Sequence, residues 1–437
     1  MAVLIKGPRR VGKTEIQKQL IWYLIKEKHV DPKKVLYLSF DDVQIQAEKP
    51  GDRERFVQDI LNAWAQILGW DSYDEIDCTA YCFFDEVQAV NGWANLLKNR
   101  IERNPKIRVV LSGSAAHSIF DKALKILLGR VTSEKLTTFS FREYLAKNDI
   151  IKTELLDGIY KAQLTFEKEL SITKLSESLQ KILWGFNHEI FRKHLTGYLK
   201  DGGFPQMWKI DADNTIEKAH FIDENYVKKV TLEDLMLLQQ IKKPELYERF
   251  LRHLFARPGQ EYNQNKAAGE LGTTVVTLSE GIKLLEQTDL LIFVEKFSHK
   301  AEPLKRKNLK IYPIDLMLNF AITKTTPNLA DDNTKGLIAE TLVAQAIYRL
   351  RGLSNMAYLK SDAVNKTGEI DFYIRSDTHD CPIEVKYQNS INTRDVAFLR
   401  DVIKEKGLPG GILITPQSWE IHQNVYNIPL WAFMLIS

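Results

Sequence analysis

Residues 7–14 read Gly7-Pro8-Arg9-Arg10-Val11-Gly12-Lys13-Thr14. Ahead of them Val3, Leu4 and Ile5 form a short apolar run, and after them Ile16, Leu20, Tyr23 and Leu24 recur at helical spacing within Glu15 to Lys26. Strand, glycine-rich loop and helix, in that order, is the context in which G-x-x-x-x-G-K-[ST] becomes a phosphate-binding P-loop. Gly7 and Gly12 let backbone N–H groups turn inward, and the start of the helix adds partial positive charge. Lys13 can then reach the β- and γ-phosphates of ATP and Thr14 can set its hydroxyl on Mg²⁺, with Pro8, Arg9, Arg10 and Val11 completing the cradle.

Hydrolysis needs a second strand that delivers carboxylates. Tyr81-Cys82-Phe83-Phe84 runs into Asp85-Glu86, an order that assigns Asp85 to Mg²⁺, through water, and Glu86 to the attacking water. Arg108 to Leu111 reads as a further strand ending in Ser112-Gly113-Ser114, where the serines are either sensors of the γ-phosphate or turn formers. Val35 to Leu38, followed by Phe40-Asp41-Asp42, is another core strand. Alternation of these runs with helical segments predicts an α/β fold, a parallel doubly wound sheet with nucleotide at the carboxyl ends of its strands.

The phrases GPRRVGKT, FFDEVQ, LSGS, LLGR (Leu127 to Arg130), FSFREYL (Phe139 to Leu145) and GGFP (Gly202 to Pro205) occur in that order. Together they closely resemble the archaeal-type AAA+ ATPases that carry a C-terminal domain of long unassigned function, and the resemblance spans essentially the whole chain. It implies ATP and Mg²⁺ as cofactors and places Ser112 to Ser114 at sensor 1. It also offers Arg130 for a γ-phosphate contact in cis or in trans, the second of which would require a homo-oligomer; a surface salt bridge is the competing role. Family members carry a helical stretch before the P-loop strand, where here only Met1 and Ala2 stand, which predicts a truncated start or adenine contacts supplied from elsewhere.

Residues 150–242 follow a helical pattern with amphipathic runs at Asp157 to Glu169 and Ser176 to Phe186, read as a lid or helical bundle beside the ATPase core of residues 1–149. His188 and His194 are out of phase for a helical metal pair. Residues 243–313 change grammar: helices over Tyr247 to Phe255, Asn263 to Leu271 and Val275 to Thr288, then strands Leu290 to Val294 and Leu309 to Tyr312. That sequence predicts a winged helix-turn-helix with Gly272-Thr273-Thr274 as its turn. Between the two strands lies a basic run with Lys296, Lys300, Lys305, Arg306, Lys307 and Lys310 against Glu302 alone. On a wing, Lys300, Lys305, Arg306, Lys307 and Lys310 would neutralise DNA phosphates without reading sequence, since the third helix offers few base-reading side chains. A protein-docking winged helix is the other reading.

Residues 314–437 carry a second constellation. Glu340 sits on a helix over Thr334 to Leu350, Asp371 in a strand from Gly368 to Ile374, and Glu384 and Lys386 in a strand from Pro382 to Tyr387; Gly410 to Thr415 would be the next core strand. Glu384 and Lys386, two residues apart, share a strand face. Asp371, Glu384 and Glu340 could hold Mg²⁺ or Mn²⁺ while Lys386 positions a water for phosphodiester cleavage. The pattern is similar to the PD-(D/E)xK nuclease superfamily, with Ile370 where the name-giving proline would be. An exposed Glu–Lys pair on an edge strand is the plain alternative. The expected C-terminal fold is therefore α/β and restriction-endonuclease-like.

Composition fits this plan and excludes others. At 44% hydrophobic and 27% charged, 437 residues are neither a disordered chain nor a rod. Apolar runs are too short to span a bilayer and no signal peptide begins the chain, so a soluble cytoplasmic protein without membrane contact is expected. Cys78, Cys82 and Cys381 are too few for a disulfide framework and fit a reducing compartment. The expected function is an Mg²⁺-dependent ATPase acting on duplex or branched DNA, with a metal-dependent nuclease domain, in repair, recombination or defence. The alternative is an ATP-controlled switch or scaffold whose nuclease-like domain is degenerate and binds protein or DNA.

Overall fold

The computed structural model describes residues 2–114, 125–127, 129–211, 213–230, 235, 244–297, 309–350, 356–361, 368–376, 379–388, 390–392 and 396–437. Packing divides the chain near Thr137. Residues up to that point form one unit with Leu235 and Gln287–Asp289, and the remainder form the second.

Five strands make the sheet of the first unit: β1 Ala2–Gly7, β2 Val35–Ser39, β3 Ala80–Asp85, β4 Ile107–Ser114 and β5 Val131–Lys135. All pairings are parallel, in the order β2-β3-β4-β1-β5. Leu4, Cys82, Phe84, Val109 and Leu111 are buried, together with Val57, Leu61 and Trp64 from helix Arg53–Ile67 and Leu96, Leu97 and Ile101 from helix Trp93–Arg103. A sheet covered on both faces is why its central strands read as unbroken apolar runs. The register aligns Gly7 with Ser114 and Ser39 with Asp85, which brings the loop and the acidic turn to the same carboxyl edge.

In the second unit, helices Phe141–Lys147, Thr153–Glu169, Ile172–Ile182 and His188–Asp201 share a core with the last residues of the chain, Leu430 to Ile436, all of them buried. Phe191 stacks on Trp431 with ring centroids 5.0 Å apart and planes 6° from parallel. These helices, expected as a lid or helical bundle, pack within the second unit. The apolar C-terminus, Leu430-Trp431-Ala432-Phe433-Met434-Leu435-Ile436, needs a cover, and these helices provide it.

Nine strands form the second sheet: β6 Glu261–Tyr262, β7 Leu291–Lys296, β8 Leu309–Pro313, β9 Met356–Lys360, β10 Glu369–Ile374, β11 Cys381–Val385, β12 Gly411–Thr415, β13 Ile421–His422 and β14 Val425–Pro429. Their order is β13-β14-β12-β11-β10-β9-β7-β8-β6. β10 and β11 form an antiparallel hairpin, while β11, β12 and β14 run parallel. Helices Pro244–Phe255, Gln264–Glu270 and Val275–Glu286 precede the hairpin β7-β8, whose β8 also pairs antiparallel with β6, a short strand between the first and second helices; Gly272, between the second and third, is in the left-handed region at φ 62°. Parallel pairing of β7 with β9 sets Glu295 opposite Ala357 and Lys296 opposite Tyr358. The division expected at residues 313 and 314 is thus crossed by one continuous sheet.

The phrases FSFREYL and GGFP meet in this unit. Phe139 N donates to Gly203 O at 2.8 Å, Tyr198 OH to Phe139 O at 2.7 Å, and Gly203 N to the buried Asp315 Oδ2 at 2.6 Å. Ser140 and Glu143 close a capping box on the helix that follows. Asp315 also accepts from Met317 N at 2.9 Å, and burial raises its pKa. These family-like phrases are joints of the scaffold. Among the described residues no helix is long and apolar enough to cross a membrane, and Cys78, Cys82 and Cys381 are free thiols.

Candidate nucleotide site and C-terminal acidic cluster

The loop after β1 needs its glycines for two different reasons. A Cβ on Gly7 would lie 2.0 Å from the carbonyl oxygen of Leu136, so only a bare backbone passes there. Gly12 has open space around it but φ of 105°, a conformation that L side chains rarely adopt. Arg10 also takes the left-handed region, at φ 59°. Lys13, only 4% exposed, folds back over the loop and donates to Gly7 O at 3.0 Å and Pro8 O at 2.7 Å.

Asp85 is the hub of this edge. It accepts from Thr14 Oγ1 at 2.6 Å, Tyr37 OH at 3.1 Å, the buried Ser112 Oγ, and the N–H of Glu86 at 3.1 Å. Helix Lys13–Lys26 is fixed to β3 as well, since Gln17 Nε2 donates to Phe84 O at 3.2 Å. The hard oxygens of Thr14 and Asp85, in direct contact below the loop, suit Mg²⁺. Glu86 ends the strand in the left-handed region at φ 48°, and Gln88 Nε2 donates to its carboxylate. A strained non-glycine residue beside a buried acid is the kind of backbone outlier that clusters at functional turns.

Of the residues singled out in the sequence, the structure brings Thr14 and Ser112 onto Asp85, with Lys13 folded over the loop beside them. Sequence reading missed Tyr37, Gln17 and Gln88. Burial and the adjacent Asp85 carboxylate raise the Tyr37 hydroxyl pKa well above its ordinary value, keeping it a donor. A polar tip within the strand run Val35 to Ser39 was its available signal. Ser114 pairs in register with Gly7. Arg130 is placed differently from the cis expectation. β5 runs parallel to β1 with Ala2 opposite Val131, so Arg130 lies at the amino edge. At the ordinary strand rise that is about 16 Å from the loop. Its guanidinium pairs with Glu102.

The second constellation is assembled around a residue assigned elsewhere. Lys310, on β8, is 5% exposed, and its Nζ lies 3.0 Å from Glu340 Oε1, 2.5 Å from Glu369 Oε1 and 3.6 Å from Asp371 Oδ1. It is therefore no wing contact: the strand turns it inward to acids that pair with it. Lys300, Lys305, Arg306 and Lys307 lie outside the described residues. Tyr312 OH donates to the same Glu340 oxygen at 2.6 Å, and Val385 N donates to Asp371 Oδ2 at 2.9 Å. Glu384, 5% exposed, pairs with Lys386, while its Oε2 is buried with no hydrogen-bond partner.

Charge and burial oppose one another here. Burial, with Glu384 and Glu340 nearby, pushes the Asp371 carboxyl well above the usual range, and burial raises Glu384. For Lys310 burial works to lower the pKa, but Glu340, Asp371 and Glu369 outweigh it and hold the ammonium above its ordinary value. Among the described residues no three His, Cys, Asp or Glu side chains are disposed to hold a metal ion. Of the expected set Glu340, Asp371 and Glu384, the first two have the Lys310 ammonium against them, at 3.0 and 3.6 Å. They do not fit a metal in this arrangement.

Comparison with known proteins agrees with the N-terminal geometry. Residues 1–145 match the family described as AAA domain. Residues 192–329 and 335–433 match two domains of unknown function, DUF8612 and DUF4143. An uncharacterised protein of Methanocaldococcus jannaschii is 24% identical over 415 residues, covering 92% of this chain and 78% of its own. The Aeropyrum pernix ORC2 protein in ADPNP–ADP complexes is 10% identical with a TM-score of 0.32, covering 74% of this chain and 86% of that one. The Aeropyrum pernix ORC1 protein in complex with DNA is also 10% identical, with the same coverages and a TM-score of 0.25. Superpositions at these scores do not decide the fold. The AAA match and the parallel sheet do, for the first unit.

Proposed function

We propose that the chain is a Mg²⁺-dependent ATPase whose nucleotide cycle serves the binding of DNA by its second unit. The observation that carries the reading is the Thr14–Asp85 contact at 2.6 Å beneath a P-loop whose lysine is already turned onto it. Mg²⁺, when bound with ATP, would neutralise charge on the β- and γ-phosphates. Lys13 would hold the phosphates, Ser112 and Tyr37 fix the Asp85 carboxylate, and Glu86, steadied by Gln88, orients and deprotonates the attacking water. Arg130, at the amino edge, would reach a γ-phosphate only in trans, within a homo-oligomer; its pairing with Glu102 favours the competing role of a surface salt bridge. Phosphate release measured with and without duplex DNA tests the whole reading. A parent protein that neither hydrolyses ATP nor retains it would overturn it.

Support for DNA comes from residues 243–313. Three helices followed by an antiparallel strand pair have the order of a winged helix, and the basic run falls between its strands. The third helix begins with exposed Val275 and Val276, which offer no hydrogen bond to a base edge, so phosphate contacts indifferent to sequence should dominate binding. Replacing Lys305, Arg306 and Lys307 together by alanine is expected to weaken binding to every duplex alike. The slope of log K against log salt should become shallower by about 0.9 for each phosphate that is no longer neutralised. Fluorescence anisotropy across a salt series measures this; an unchanged slope assigns the segment to protein docking instead.

For the C-terminal domain the scaffold reading is favoured over the nuclease by one observation, the Lys310 ammonium among Glu340, Glu369 and Asp371. On this reading Asp371, Glu384 and Lys386 keep the outline of a nuclease site without its metal.

A further inference from the structure

We propose that Lys310 is the resident cation of the C-terminal acidic cluster, and that while it is in place Glu340, Asp371 and Glu384 take up no divalent ion. The inference rests on reading helix Lys335–Arg349 with β10 and β11 as a nuclease-like site, and it names what holds that site closed.

Lys310 is built into the cluster from several directions. Strand alternation puts Lys310 and Tyr312 on one face of β8, and both donate to the same oxygen of Glu340, at 3.0 and 2.6 Å. The ammonium also reaches Glu369 and Asp371 on β10, and lies 5.5 Å from the centre of the Tyr358 ring on β9. With its side chain 6% exposed, it has exchanged water for carboxylates, which keep it charged. A divalent ion takes its oxygens at roughly 2.0–2.6 Å. It would have to draw on the same Glu340 and Asp371 oxygens, against a positive charge that is covalently tied in place. Glu384 shows what the lysine leaves over: its Oε2 is buried and without a donor. Removing the ammonium therefore frees Glu340 and Asp371 beside an oxygen that already lacks a partner, a hard-oxygen set that suits Mg²⁺ or Mn²⁺.

The test uses the full chain carrying Asp85→Asn, to silence the nucleotide-site metal, without nucleotide. Free Mn²⁺ is followed by electron paramagnetic resonance. Asp85→Asn alone is expected to bind no Mn²⁺ that depends on Asp371. Adding Lys310→Met should create one equivalent of bound Mn²⁺, and adding Asp371→Asn should abolish it. If Lys310→Met does not fold, Lys310→Met with Glu340→Gln removes one charge of each sign and leaves Asp371 and Glu384 to take the ion. Two results overturn the proposal: an equivalent of Mn²⁺ bound with Lys310 present and lost on Asp371→Asn, or none gained by a folded protein lacking Lys310. Plasmid cleavage in Mn²⁺ is read separately. Mn²⁺ gained without cleavage upholds the role of Lys310 while removing the nuclease-like reading of the site.

Discussion

Glu86→Gln is expected to retain ATP and lose turnover by a factor of about 10²–10⁴, the usual contribution of a positioned base. The substitution keeps the shape of the side chain and its place beside Gln88 while removing the charge that takes the proton from water. Lys13→Ala should act earlier in the cycle. It deletes the ammonium that the loop carbonyls of Gly7 and Pro8 hold at the phosphate position, so nucleotide retention and phosphate release should both disappear. Filter retention of labelled ATP alongside phosphate release separates the two effects. A Glu86→Gln protein that hydrolyses ATP at the parent rate would remove Glu86 from the reaction.

Gly203→Ala should be the most damaging single methyl group in the second unit. The added Cβ would fall 2.4 Å from Phe139 O and 3.0 Å from Phe139 N, both backbone atoms, and 2.9 Å from the buried Asp315 Oδ2. Backbone cannot swing aside as a long side chain can, so the loss is about 3 kcal/mol, the upper range for overpacking. At the usual scaling for large domains this lowers the melting temperature by roughly 6–12 °C. Gly269→Ala is the control. It is exposed within helix Gln264–Glu270 with nothing near its Cβ, and should raise stability by about 0.5–1 kcal/mol. Calorimetry that finds the two variants equally stable would show that the Phe139–Gly203 joint yields.

Much of the first unit was legible because its chemistry and its burial use the same residues. Gly7 to Thr14 is local, and Phe83-Phe84-Asp85-Glu86 is a buried strand that ends at the site it serves. β5 was not legible: Val131-Thr132-Ser133-Glu134-Lys135 is a mostly exposed edge strand and lacks the apolar run that marks its neighbours. The placement of Arg130 followed from that strand, so it was hidden too. Lys310 is the instructive failure. Beside Lys305, Arg306 and Lys307 it reads as one more cation of a solvated run, yet strand alternation and partners 30 to 61 residues away draw it inside. Charge runs report composition; only pairing across a sheet reports which charges leave water.

The joining of β7 to β9 bears on how the protein comes apart. Those two strands are interior neighbours, sixth and seventh in the nine-stranded order, so a cut in the segment after β8 severs the chain but not the sheet. Proteolytic pieces should stay associated through a nicked but intact ladder. A C-terminal piece made alone, beginning near residue 314, would present β9 as a raw edge with unanswered N–H and C=O groups, an invitation to self-adhesion. Recombinant dissection of this region should respect the ladder: the piece that behaves as a soluble body begins before Phe139, not after Pro313.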